Sequence, residues 1–176
     1  LLDFSREREI TPKRMDLNEL VIHLEQMLLR LLGADFNLKL ELTIGETPIV
    51  ADSSQLEQVV VNLVANARDA SKPGDTITVR TNANYEINSD ESLVDFEPGS
   101  YVCLSVEDDG AGMSDETMEH MFEPFYTTKE RGKGTGLGLS TVFGSIKQNK
   151  GYVRVNSKLG VGTEIRIILP AAIGER

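Results

Sequence analysis

Several groups of residues in this chain have types and spacings suited to chemistry. In QLEQVVVNLVANARDA, Asn62, Asn66 and Asp69 recur at spacings of four and three. On a helix, at ~100° per residue, they fall within about 60° of one another. They lie beside an apolar face made by Leu56, Val60, Leu63, Val64 and Ala67. A polar seam at a helix edge would account for one asparagine. Two of them in mid-helix, with poor helix propensity and facing the same way as an aspartate, point to a function. Their carboxamide oxygens can ligate a hard cation such as Mg²⁺, and their amides can touch phosphate oxygens. A second group, Asp108-Asp109-Gly110-Ala111-Gly112-Met113, closes a strand. An aspartate there can accept the amino proton of a purine, while glycines let backbone and ligand approach closely. Turns often have this composition, so the group is weak by itself.

The stretch FEPFYTTK at 122–129 is rich in aromatic residues and ends on Thr127, Thr128 and Lys129. Phe122 and Phe125 pin such a loop to a core, which is also what the hinge of a mobile loop needs. The last group is Gly132-Lys133-Gly134-Thr135-Gly136-Leu137-Gly138-Leu139, with glycine at every second position leading into a helix. Backbone amides freed by glycine at a helix N-terminus bind anions, and Lys133 adds charge. The spacing fits neither GxxxxGK[ST] nor GxGxxG, so a P-loop or dinucleotide fingerprint is excluded.

The elements that must position these groups follow from periodicity. Asp16 to Leu32 has apolar residues at helical period and stops at Gly33; Phe36 to Leu42 alternates as a half-buried strand. Pro48-Ile49-Val50-Ala51 is a short apolar stretch leading to Asp52-Ser53, an N-cap for a helix over about 54–71. Strands are expected near 75–84, 100–108, 151–157 and 162–169, and helices near 114–121 and 137–149. Between the first two of those strands, NYEINSDESLVDFEPG holds five acids and no base and reads as a solvated hairpin extension. Strands and helices alternate without strict βαβ order. The expected class is α/β, a two-layer sandwich with a mixed, mostly antiparallel sheet and helices on one face.

Composition narrows the function classes. With 18 Lys+Arg against 28 Asp+Glu, the net charge of −10 leaves no basic surplus for nucleic acid. No apolar run is long enough for a membrane span. The single cysteine, Cys103, lies in an apolar run and reads as core packing in a reducing compartment. His23 and His120 are far apart and lack neighbouring ligands, which argues against a His/Cys metal site or a Ser-His-Asp triad.

Taken in order, these groups resemble the histidine kinase catalytic ATP-binding domain of the gyrase, chaperone, kinase and mismatch-repair ATPase superfamily (GHKL). NLVANARDA is similar to the N box, DDGAGM to the first glycine box, FEPFYTTK to the F box, GKGTGLGL to the second glycine box and GVGTEIRIILP to the closing one. The resemblance covers about residues 15–170 and implies a Bergerat ATP-binding fold, with ATP (or ADP) and Mg²⁺ as ligands. It implies that Asp108 binds the adenine amino group, with Thr163 helping through water, and that Gly110 and Gly112 shape the base pocket. Asn66 would coordinate Mg²⁺, with Asn62 near the phosphates and Asp69 on the same face. Residues 123–135 would form a lid carrying Thr128, Lys129 and Lys133. Gly134, Thr135, Gly136, Leu137 and Gly138 would lie beneath the phosphates. Phosphoryl transfer would rest on Asn62, Asn66 and Lys129.

One departure bears on the whole protein. Such kinases phosphorylate a histidine followed by an acid, on a separate dimerising hairpin. Here His23 precedes Leu24 and His120 precedes Met121. Residues 1–12 are therefore expected to be the tail of the preceding dimerisation and phosphoacceptor helix, and 13–176 the catalytic domain. A His-Glu or His-Asp pair is expected roughly 50 residues upstream. The implied partners are that acceptor domain of the same protein and a response regulator receiver domain. The full-length protein is expected to be a cytoplasmic homodimer, or the cytoplasmic part of a membrane-bound sensor, and the isolated domain a monomer without membrane contact. A gyrase-like hydrolase would carry a glutamate at position 62, where this chain has asparagine. A serine kinase of the anti-sigma type shares the boxes but not FEPFYTTK, and a non-catalytic nucleotide sensor is the alternative from another class.

Overall fold

The computed structural model describes residues 9–85, 99–123 and 138–172. The expected helix tail before residue 9, the acid-rich connection over 86–98 and most of the lid and glycine-rich loop, 124–137, lie outside them.

Helix α1 (Leu17–Leu32) begins where Asp16 folds back: its carboxylate accepts the Glu19 N–H at 3.2 Å and the Thr47 N–H at 2.8 Å. Such a cap contributes about 1 kcal/mol. Helix α2 (Ser53–Ala70) is capped in the same way by Asp52, through the Gln55 N–H at 3.1 Å. Every residue assigned to its apolar face (Leu56, Val60, Leu63, Val64 and Ala67) is buried, together with Val59. Two shorter helices, α3 (Asp115–His120) and α4 (Gly138–Gln148), complete the helices of the described residues.

The main sheet has five strands in the order β2 (Asn37–Glu41), β4 (Thr76–Tyr85), β5 (Tyr101–Asp108), β7 (Gly162–Pro170) and β6 (Tyr152–Lys158). Only β2 and β4 run parallel; the other pairs are antiparallel. Ile77, Val79, Val102, Leu104, Val106, Ile165 and Ile167 project from one face into a core shared with α1, α2 and α4. Each such fully buried aliphatic side chain contributes about 1.5–3 kcal/mol. The opposite face carries a smaller cluster of Tyr101, Cys103 and Ile168, so Cys103 is packed as expected. The mixed two-layer sandwich agrees with the sequence reading.

One element escapes that reading. β1 (Lys13–Asp16) pairs antiparallel with β3 (Pro48–Ala51) in a separate two-stranded sheet. Four-residue strands have too few positions to show alternation, and their pairing is between segments about 35 residues apart. No helix among the described residues is long and apolar enough to cross a membrane.

Candidate functional site

The inner end of β5 builds one half of the site. Successive side chains of a strand point to opposite faces, so Asp108 faces the helices while Glu107 faces away. Asp108 is 6% exposed. Its Oδ1 accepts the Gly110 N–H at 2.8 Å, and its carboxylate also accepts the Thr163 N–H, which the register places opposite it on β7. Burial pushes this carboxyl up from 3.8 to about 6, against those two hydrogen bonds, and the nearby Asp109 and Asp75 charges push the same way. Among the described residues no cation is one of the strongest influences on it. A buried carboxylate with N–H partners and no such counter-charge there is suited to a ligand that brings further N–H donors.

Backbone walls surround it. A Cβ on Gly110 would lie 2.1 Å from the Ala70 carbonyl oxygen, and one on Gly112 would lie 2.1 Å from that of Lys158. Gly112 also has φ +70°, which few side-chain-bearing residues adopt. The loop is stitched to both neighbours: Ala111 N–H donates to Ala70 O at 2.9 Å, Gly160 N–H to Ala111 O at 2.8 Å and Met113 N–H to Ser157 Oγ at 2.8 Å. Thr163 Oγ1 sits 2.8 Å from Ser157 Oγ, which anchors the hydroxyl beside Asp108. Gly162 is a wall the residue reading left unassigned: its Cβ would lie 2.1 Å from the Asp108 carbonyl oxygen. The GVGTE spacing before β7 was the available signal for it.

Helices α2 and α4 build the other half. The half-buried Asn66 carboxamide faces the first turn of α4, and a Cβ on Gly138 would stand 3.6 Å from its Nδ2. Among the described residues nothing hydrogen-bonds that carboxamide. Asn62, one turn earlier, accepts the Gln58 Nε2 hydrogen at 2.8 Å. Asp69 lies on the same edge but is more exposed, and Arg68 donates to its Oδ1 from Nε at 3.3 Å and Nη2 at 3.1 Å. A carboxamide against a helix N-terminus, with no partner among the described residues, has the chemistry to ligate a hard cation or donate to phosphate oxygens. Thr128, Lys129, Lys133, Gly134, Thr135, Gly136 and Leu137 lie outside the described residues.

Neither histidine is followed by an acid in sequence, but the turn after α3 brings Glu123 to His120. Its Nδ1 lies 2.8 Å from Glu123 Oε1, one turn along, and that carboxylate raises the imidazole pKa. His23 stands exposed on α1.

Residues 51–173 match the family described as "Histidine kinase-, DNA gyrase B-, and HSP90-like ATPase". The sensor kinase CckA of Brucella abortus is 44% identical over 177 residues, covering 100% of this chain but 19% of its own length. Sporulation kinase C of Bacillus subtilis is 31% identical over 97% of this chain and 36% of its own. The chain thus spans only about a fifth to a third of these curated relatives. The solved structure of the mycobacterial sensor histidine kinase MprB superposes with a TM-score of 0.72 at 27% identity, covering 91% of this chain and 97% of that one. With the glycine-walled carboxylate of β5 and the Asn66–α4 contact already in place, this chain belongs to the histidine kinase-, gyrase- and HSP90-like ATPases, as a nucleotide-binding catalytic domain of the sensor histidine kinase type.

Proposed function

We propose that this domain binds ATP with Mg²⁺ and delivers the γ-phosphoryl group to a histidine on a separate dimerisation domain of the same protein, from which a response regulator receiver domain takes it. The observation that carries the reading is the pairing of two features at one end of the sandwich. One is a buried carboxylate with no cation beside it among the described residues; the other is an asparagine against the start of α4 with no hydrogen-bond partner among them. The adenine amino group donates to Asp108, and Thr163 reaches the base through water. Gly110, Gly112 and Gly162 let the backbone close in tightly around the carboxylate that takes the base, since a Cβ on each would strike a neighbouring carbonyl. Asn66 holds the metal and Asn62 lies near the phosphates, with Lys129 and Lys133 closing from the lid. Mg²⁺, when bound, compensates phosphate charge. Gly134 to Gly138 offer amides beneath the phosphates.

Transfer then needs little from the protein beyond alignment and charge compensation. The acceptor imidazole nitrogen bonds to the γ-phosphorus as the bond to the β–γ bridging oxygen breaks, and ADP leaves. Position 62 argues against hydrolysis, because a carboxamide cannot take a proton from water as a glutamate can. The domain is read as acting in the cytoplasm and, in the full-length protein, within a homodimer.

Incubation with radiolabelled ATP tests this. The chain alone should bind Mg-ATP, carry no acid-labile label and turn over near background, since a general base typically contributes about 10²–10⁴-fold. Adding the acceptor hairpin should produce phosphohistidine. Label on the chain alone would overturn the separate acceptor, and brisk phosphate release would favour the hydrolase. In the same assay Asn66→Ala should remove the Mg²⁺ dependence of ATP binding while leaving adenosine affinity unchanged; a parent-like Mg²⁺ response would move the metal elsewhere.

A further inference from the structure

At the end of the α2–α4 pair remote from Asn66, a buried polar hub joins three parts of the chain. Asn149, just past α4 and 5% exposed, uses its whole carboxamide. Its Oδ1 accepts the Asp52 N–H at 2.9 Å, and its Nδ2 donates to Gln55 Oε1 at 2.8 Å and to Ser145 O at 2.7 Å. Asp52, 8% exposed, divides its two oxygens. Oδ1 caps α2 through Gln55 N–H, while Oδ2 accepts the Thr11 N–H at 2.9 Å and, less closely, the Thr11 hydroxyl at 3.4 Å. Gln55 Nε2 also donates to Gln148 Oε1 at 2.6 Å. An N-cap requires one carboxylate oxygen and no asparagine. The second oxygen is spent on an exposed residue, Thr11, in the segment leading into β1.

The geometry gives this arrangement a lever. α4 runs antiparallel to α2: its first residue, Gly138, faces Asn66, and its end is tied to Asp52. About 16 Å of helix, at ~1.5 Å per residue, separates the two contacts. A rigid helix pinned at one end transmits an axial shift to the other, because a packed interface changes register in steps rather than continuously. We infer that Asp52 and Asn149 are positioning residues that couple the segment at Thr11 to the axial placement of α4, and so to the phosphate end of the nucleotide site. The inference rests on the reading of Asn66 and Gly138 given above. The Thr11 N–H is also the strongest influence holding the Asp52 carboxyl below its usual range, which marks that contact as the hub's principal outside attachment.

Coupling of this kind is reciprocal, and values of about 5–150-fold are typical. Two variants cut the same bond without touching the core. Asp52→Asn keeps the helix cap but turns an amino group toward Thr11, and Thr11→Pro removes the donor; Thr11→Ala retains the N–H. Calorimetry with Mg-ADP should show about fivefold or greater weakening for each of the first two. Their combination should be no worse than either, and Thr11→Ala, which keeps the N–H and loses only the long hydroxyl contact, should stay within about twofold of the parent. In the parent, Mg-ADP should slow hydrogen exchange of the Thr11 N–H, and Asp52→Asn should abolish that response. A merely structural hub would lower the melting temperature while leaving affinity and the nucleotide-dependent protection intact, and that result would overturn the inference. A parent chain that fails to bind Mg-ADP would instead sink the nucleotide reading, and the coupling with it. Parent binding with indistinguishable variants sinks the coupling alone.

Discussion

Glu107 and Asp108 are neighbours on one strand, and their surroundings could hardly differ more. Glu107 points to the face of the sheet away from the helices, where its Oε2 accepts an Arg80 Nη1 hydrogen at 2.7 Å. Arg80 also binds Glu41 and lies 3.6 Å from Glu164, which in turn accepts from Arg166 at 2.6 Å. In this half-exposed network each acid has a base. Hydrogen bonds from Lys39 and Arg80 hold the Glu41 carboxyl at about 2. Asp108 points inward, has backbone N–H partners only, and is pushed up to about 6. A carboxylate already matched by guanidinium has nothing left to offer a ligand, and exposed pairs add little stability. One kept in a buried niche with no cation beside it among the described residues is costly at neutral pH, and a ligand bringing N–H donors would recover that cost. Acidity alone does not mark a site; unmatched burial does.

The largest expected effect attacks the walls of the inner niche. Gly110→Ala drives a methyl group against the Ala70 carbonyl, a fixed backbone atom. Denaturant unfolding should show a loss of about 3 kcal/mol or more, with nucleotide binding gone. A variant of parental stability would mean the loop yields easily and the niche is not rigid.

The next is chemical. A hydrogen bond to a charged acceptor contributes about 1.5–3 kcal/mol, so Asp108→Ala should weaken ATP and ADP about 10- to 150-fold by calorimetry. Equal affinity of the parent for GTP and ATP would remove the base contact. The same residue sets a pH signature. Its folded pKa lies above the unfolded 3.8, so the folded state holds the proton longer. Stability from this group is present below about pH 4, is lost as pH rises through about 6, and stays flat above. Asp108→Asn should abolish that slope in pH-dependent melting. Nucleotide affinity should run the other way, rising with pH until about 6, because the ionised form accepts the amino proton.

The smallest effect is expected on the outer face. Glu41→Gln removes a carboxylate with a strongly lowered pKa, yet a half-exposed one. It should change the melting temperature by only a few degrees and leave ATP affinity within about twofold. A large loss of nucleotide binding would dissolve the distinction between the two faces.

The sequence by itself determined the helices and the chemistry of the inner niche, because both are written in local spacing. Periodicity at 3.6 buries Leu56, Val60, Leu63, Val64 and Ala67 of α2, and Asp52 marks its start within a residue. The glycines after Asp108 announced a close approach, and the Asn62–Asn66 spacing put two carboxamides on one helix edge. Tertiary structure alone decided what those residues meet. That the Ala70 carbonyl walls Gly110 and that Thr163 donates to Asp108 are contacts whose partners carry no local signature. The pairing of β1 with β3, the parallel placement of β2 beside β4 and the Thr11–Asp52–Asn149 hub are decided the same way. Each joins segments more than thirty residues apart, and such contacts form only once the apolar faces of α1, α2 and the sheet have collapsed onto one core and brought the chain's distant polar groups within hydrogen-bonding reach.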